Sequence, residues 1–430
     1  MNMKSDKANL RDALNHIGGG KAPVDFGSTA VTGMHVSCVS ALREYYGLEK
    51  RPVKVVEPFQ MLGEIDEELK RIIGVSVEGV TGRNTMFGFA NEGWKPWIFN
   101  GLEVLAPGNF NVRDDGRGGY YLYPQGDYGA GPSGRMPAGG VYFDAVIRQG
   151  EIDDDNLNPA DNLEEFQVLS ERDLQYFSTA LRAAARTGRG IILSAPGAGL
   201  GDIALVPGIG MLNPKGIRDV EEWYISTVSR RDYLHAIFER QTDIAIENLR
   251  LLSGVAGGVA AEYGTCGIID AVFLCGTDFG TQTSTFCSME TFRELYMPYY
   301  KKMNGWIRKN TDWKVFKHSC GAIGPLLDDF IEAGFDIINP VQCSATGMDP
   351  RELKDIYGDR LTFWGGGVDT QKTLPFGTAD EVREQVTRRC EVFAEQGGFV
   401  FNAIHNVQAR TPVENIAAMI EAVAAFNENR

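Results

Sequence analysis

Histidine is scarce in this chain, with five in 430 residues. One of the five opens the run His318-Ser319-Cys320-Gly321, directly after Trp313-Lys314-Val315-Phe316-Lys317. Strand side chains alternate between faces, so a histidine and a cysteine two apart at a strand end can look the same way. An imidazole and a thiolate on one face are two of the three protein ligands of a zinc ion that keeps an open position. A second strand-like run, Phe399–Ile404, leads into His405. If the two strand ends meet, His318, Cys320 and His405 make a three-ligand set. For the pair alone, a buried cysteine beside a histidine bonded to a carbonyl is the commoner reading.

The elements that must position these groups follow a simple alternation from about residue 160 onward. Strands are expected at Gly190–Ser194, Ile268–Leu274, Trp313–Phe316, Phe335–Pro340, Leu361–Gly365 and Phe399–Ile404. Helices are expected at Ser288–Lys309, Gly324–Ala333, Asp349–Tyr357 and Ala379–Gln396. Asp349-Pro350, Thr378-Ala379-Asp380-Glu381 and Thr411-Pro412 read as helix starts. Alternating strands and helices imply a parallel sheet, either a closed (β/α)8 barrel or an open doubly wound sheet. The barrel is favoured by short strands, by length, and by polar residues gathered just after strands: Asp278, His318, Cys320, Asn339, Gln342, Asp369 and His405. In a barrel these positions share one mouth, where catalytic groups collect.

One barrel domain over residues 1–430 is therefore expected, with an N-terminal extension and an insertion. Pro23–Gly27 reads as an opening strand and Met61–Ile72 as an amphipathic helix. Residues 107–160 are rich in Gly, Tyr, Asp and Pro, which suits a lid, a binding loop or an interface such as a homodimer face.

Composition narrows the partners. A formal net charge of −15 repels nucleic acid and anionic membrane. No run of about 18 or more apolar residues suggests a transmembrane helix, and the polar stretch Met1–Lys7 does not read as a signal peptide. Seven scattered cysteines do not form a disulfide framework and fit a reducing cytoplasm.

The glycine clusters are turns rather than phosphate loops. Gly18-Gly19-Gly20-Lys21 is followed by Ala22, and Gly197-Ala198-Gly199-Leu200-Gly201 lacks dinucleotide-binding spacing. Gly276-Thr277-Asp278-Phe279-Gly280-Thr281-Gln282 places a carboxylate and an amide on a strand-end loop, for acid–base work, substrate positioning or a plain Asx turn. Cys343 is either a spare ligand or an ordinary loop residue. His16, His35 and His235 read as structural. There is no G-x-S-x-G elbow for serine hydrolysis.

Seven stretches, in this order, resemble the uroporphyrinogen decarboxylase superfamily in its cobalamin-dependent methyltransferase branch. They are Val24–Gly27, Pro58–Met61, Gly276–Gln282, Lys317–Gly321, Asn339–Gln342, Phe363–Gln371 and His405–Gln408. The resemblance implies a (β/α)8 barrel and a zinc-containing methyltransferase. His318 and Cys320 match the branch's zinc-binding His-x-Cys-Gly motif. His405 stands where coenzyme M methyltransferases carry cysteine, and the decarboxylases also have a histidine near this place. Decarboxylases grip propionates with N-terminal arginines, whereas residues 20–45 here hold only Arg43.

On this resemblance Asp278, His318 and His405 are the expected catalytic residues. Gln282, Asn339, Gln342 and Asp369 are the expected substrate-binding residues. The cofactors are Zn(II) and a corrinoid carried by a partner protein, since no D-x-H-x-x-G stretch is present. The expected reaction moves a methyl group from a small methylated or methoxylated compound to the corrinoid protein. Transfer from a methylcorrinoid to a thiol, a decarboxylase and a non-catalytic docking barrel are the alternatives.

Overall fold

A computed structural model describes residues 5–430; Met1–Lys4, part of the polar N-terminal stretch, lie outside the described residues. Seven strands form one parallel sheet in sequential order. They are β1 (Val77–Val80), β2 (Gly190–Ser194), β3 (Ala271–Cys275), β4 (Lys314–His318), β5 (Ile337–Asn339), β6 (Thr362–Trp364) and β7 (Phe399–Val400). The sheet curls until Val24 lies between its edges. The Ser76 amide donates to the Val24 carbonyl at 2.8 Å, while the Asp25 and Phe401 amides donate to the Phe401 and Pro23 carbonyls at 2.9 and 2.7 Å.

Parallel strands need crossover segments, which cover them with helices. These include α1 (Glu171–Ala185), α2 (Val220–Ser229), α3 (Arg231–Glu262), α4 (Met297–Asn310), α5 (Leu327–Ala333), α6 (Pro350–Tyr357), α7 (Ala379–Phe393) and α8 (Val413–Glu428). The start signals work as expected at α6 and α7. The Asp349 carboxylate accepts the Arg351 and Glu352 amides, and Thr378 and Glu381 form a reciprocal capping box. Pro412 caps α8 instead of filling its first turn.

α3 is long and apolar enough, by length and composition, to cross a membrane. In this fold its face of Leu234, Ile237, Phe238, Ala245, Leu249 and Leu252 is buried, and it packs beside α1 and α4.

The inside of the sheet is a packed core. Val77, Ile192, Ala271, Phe316, Ile337, Trp364 and Val400, one from each strand, meet Leu10 and Leu14. Those leucines belong to the helix Asp6–Leu14. Lys7 Nζ and Arg11 Nε anchor that helix on Asp270, just before β3, at 3.0 and 2.7 Å. The N-terminal extension thus plugs the bottom of the sheet and leaves the carboxyl ends of the strands open.

Two expectations change. Met61–Ile72 is helical only from Glu67. Leu62–Gly63 pairs antiparallel with Val53–Glu57, and the Asp66 carboxylate starts the helix by accepting the Glu68 and Leu69 amides. The run expected to end at His405 stops at Val400. Beyond it, the Asn402 carbonyl and Ile404 amide bond to Gly367 and Val368 at 2.9 and 3.0 Å, so His405 arrives on a loop.

The insertion is ordered. Val112–Asp114, Tyr120–Leu122, Gly134–Met136 and Asp144–Ala145 form an antiparallel sheet. Its aromatics pack inward, with Trp97 against Phe110 at 4.9 Å and Phe87 against Phe143 at 6.1 Å. Tyr128 and Tyr142 stay exposed. Arg148, just past this sheet, donates to the Gly208 and Met211 carbonyls at 2.7 and 2.8 Å, bracing the loop after β2.

Candidate metal centre

β4 ends at His318, and the next three residues turn sharply. Gly321 has φ +89°, and a Cβ there would lie 2.4 Å from the Gly280 carbonyl carbon. Two glycines facing each other let the loop after β3 lie directly on the loop after β4. The contact is then fastened from several sides. The Cys320 amide donates to Asp278 Oδ1 at 2.7 Å, the Gly321 amide to Gln342 Oε1 at 2.8 Å, and the Phe279 amide to Ser319 Oγ at 2.9 Å. Asp278 is therefore a clamp between loops, not a local Asx turn.

The ligand atoms of His318, Cys320 and His405 all lie within 4.8 Å of one another. Cys320 Sγ is 3.4 Å from His318 Nε2, and the two imidazole centroids are 5.4 Å apart. Bond lengths of about 2.0 Å to nitrogen and 2.3 Å to sulfur around a tetrahedral zinc imply an N···S separation near 3.5 Å. The donor set thus suits zinc.

The tautomer of His318 is also set. Asn339 Nδ2 donates to the Trp364 carbonyl at 2.8 Å, which turns Oδ1 toward His318 Nδ1 at 2.6 Å. Nδ1 must then carry the proton, leaving the Nε2 lone pair facing Cys320 and His405.

Electrostatics point the same way. Burial lowers the His318 pKa against the opposing pull of Asp278. Burial, with His318 adding to it, takes His405 to about 3. Both rings are therefore neutral at pH 7. Burial raises the Cys320 thiol well above its ordinary value, with Asp278 adding to it. A divalent cation reverses that sense and holds the sulfur as thiolate.

The expected site residues divide. His318, Cys320, His405 and Asp278 come together, with Asp278 Oδ1 3.7 Å from His318 Nε2. Asn339 and Gln342 are adjacent and buried, but their side chains hold His318 and Gly321. Gln282 is exposed on the loop, its carbonyl accepting the Thr346 amide at 3.0 Å. Asp369 Oδ1 caps the turn after β6, accepting from Gln371 and Lys372 at 2.7 and 2.9 Å. Cys343 Sγ turns to the Val341 carbonyl at 3.3 Å. His35 caps a helix, and His16 and His235 bond to the Gly358 carbonyl and to Tyr299.

Three neighbours were missed. Asp202, after β2, is deep in the mouth, and burial lifts its carboxyl to about 6. The strand-end position that singled out Asp278 applies to it too. Lys317 is fully buried, its Nζ donating to the Thr277 and His318 carbonyls at 2.5 and 2.6 Å over the faces of Phe279, Phe330 and Tyr300. Tyr224 on α2 carries no local signal at all.

Residues 209–426, just over half of the chain, match the sequence profile of the family described as Uroporphyrinogen decarboxylase (URO-D). No curated protein sequence matches. A solved structure titled "methyltransferase from Methanosarcina mazei" superposes with a TM-score of 0.53 at 15% identity, covering 98% of this chain and 99% of that one. At that identity the likeness concerns the fold. A GH113 β-1,4-mannanase complex, at TM-score 0.29 and 13% identity over 60% of this chain and 80% of that one, bears no weight.

Proposed function

The chain belongs to the uroporphyrinogen decarboxylase family, and from that premise we propose that it is a zinc-containing methyltransferase. It moves a methyl group from a small methylated or methoxylated compound to a corrinoid carried by a separate protein. The observation that carries this reading is the convergence of His318, Cys320 and His405 at the strand mouth, with His318 Nε2 held as a free lone pair. The curled sheet closed through Val24 is read as the (β/α)8 barrel of the family, its mouth being where the partner docks.

His318, Cys320 and His405 would hold zinc and leave a position open. When bound, the metal supplies Lewis-acid stabilisation of the atom that loses the methyl group. Asn339 and Lys317 keep His318 and its backbone in place. Asp278 fixes the Cys320 amide and lies 3.7 Å from His318 Nε2, where it would orient the substrate. A third ligand that is histidine rather than cysteine favours the demethylating direction. Arg43, the arginine nearest the propionate-gripping motif, is buried and paired with Asp66, which disfavours tetrapyrrole decarboxylation.

The test is methyl transfer from a panel of O-, N- and S-methylated small molecules to a reduced corrinoid protein. Transfer is expected in the wild type and absent in His318→Ala/Cys320→Ser. Undiminished transfer in the double variant, or turnover of uroporphyrinogen instead, sinks the reading. Asn339→Ala should weaken zinc about 10–100-fold, because the acceptor that orients His318 is gone. Competition with a chromophoric chelator measures this, and an unchanged affinity would show that the hydrogen bond does not matter.

A further inference from the structure

We propose that Tyr224 and Asp202 grip the polar end of the substrate and that this end is a protonated amine, so that the methyl donor carries an ammonium head apart from the atom that loses the methyl group. That it is a donor rests on the methyltransferase reading above; recognition of an ammonium head does not.

Tyr224 stacks on Phe286, with centroids 5.2 Å apart and planes 20° from parallel. Phe286 ends the hairpin that lies over the Cys320 loop, its amide bonded to the Phe279 carbonyl at 2.7 Å. The Tyr224 ring is thereby fixed beside the metal centre. Its hydroxyl is buried and meets no hydrogen-bond partner. Folded proteins seldom leave such a group unmet, and a ligand that completes it is a direct explanation.

The groups close enough to act electrostatically on that hydroxyl are Asp278, Cys287 and Asp202. Asp202 Oδ1 accepts the Ala204 amide at 3.0 Å. Its Oδ2 lies against Gly276, where any Cβ would come within 2.9 Å, and among the described residues no donor reaches it. Asp202 is nonetheless partly accessible.

The mouth therefore offers an incoming polar group two carboxylates, a phenol and aromatic faces. The cation that acts on Asp202, Lys317, is already committed to two carbonyls. An ammonium N–H can donate to Asp202 Oδ2 while the positive charge faces the Tyr224 hydroxyl dipole. A carboxylate or phosphate would meet like charge. An ether oxygen could accept from Tyr224 but would leave Asp202 without a donor.

The test is calorimetric titration at pH 7.5 with trimethylammonium, methoxybenzene and methoxyacetate, on zinc-loaded and zinc-free protein. Trimethylammonium should bind the wild type most tightly. Asp202→Asn should weaken it about tenfold or more, as expected for a hydrogen bond to a charged group, and Tyr224→Phe several-fold through loss of the hydroxyl dipole. Zinc content and thermal stability should be unchanged in both variants, which separates lost contacts from a lost fold. The proposal is overturned if methoxybenzene or methoxyacetate binds better. It also fails if trimethylammonium does not bind at millimolar concentration, or binds both variants as well as wild type. Ammonium binding without zinc or methyl transfer would keep this proposal and remove the methyltransferase reading. Transfer from a methoxylated donor, with trimethylammonium unbound, would do the reverse.

Discussion

Purified wild-type protein is expected to carry about one zinc per chain, and His318→Ala/Cys320→Ser to carry none. The effect is total because two of three ligands go, and His405 alone cannot retain the ion. The neutral state of both imidazoles favours binding, since neither must lose a proton at pH 7. The thiol does release one, so affinity should fall as pH drops. Elemental analysis of the two proteins, with circular dichroism to show that both are folded, decides the matter. A folded wild type that binds no zinc after reconstitution would remove the Lewis-acid role and leave Asp278 and His405 as an acid–base pair.

Gly321→Ala should be the most damaging single methyl group near the site. The residue sits at φ +89°, which costs roughly 1–3 kcal/mol for a residue with a side chain. The added Cβ would also lie 2.4 and 2.5 Å from the Gly280 carbonyl atoms and 2.5 Å from the Thr281 carbonyl oxygen. Those are backbone atoms and cannot swing aside, so the two loops must separate. Cys320 would then move off its bond to Asp278. We expect a loss of more than about 3 kcal/mol in urea unfolding, together with loss of zinc. Gly347→Ala is the control, with φ +71° but no atom within 4 Å of its Cβ, so only the dihedral cost applies. Equal effects at the two positions would refute the close-approach argument.

Much of the frame could be read before any coordinates. Six strands fall on the apolar runs that predict them, the last only over Phe399–Val400, because a strand buried on both faces reads as a continuous apolar run. The caps at Asp349 and Thr378 work because capping is settled within four residues. Met61–Ile72 shows where local reading fails. Its pattern is helical, but Leu62–Gly63 finds a strand partner in Val53–Glu57, and tertiary pairing overrides propensity.

The site divides along the same line. By itself the sequence determined the pair His318 and Cys320, since both lie at one strand end and their common facing follows from the two-residue period of a strand. Only the tertiary structure decided that His405 joins them from a loop and that Asn339 and Gln342 turn their side chains to His318 and the Gly321 amide. It alone placed Asp202 and Tyr224 beside the mouth. These contacts link residues some 20 to 90 positions apart, and their geometry depends on which strands are neighbours and how far the sheet curls, which no local period encodes.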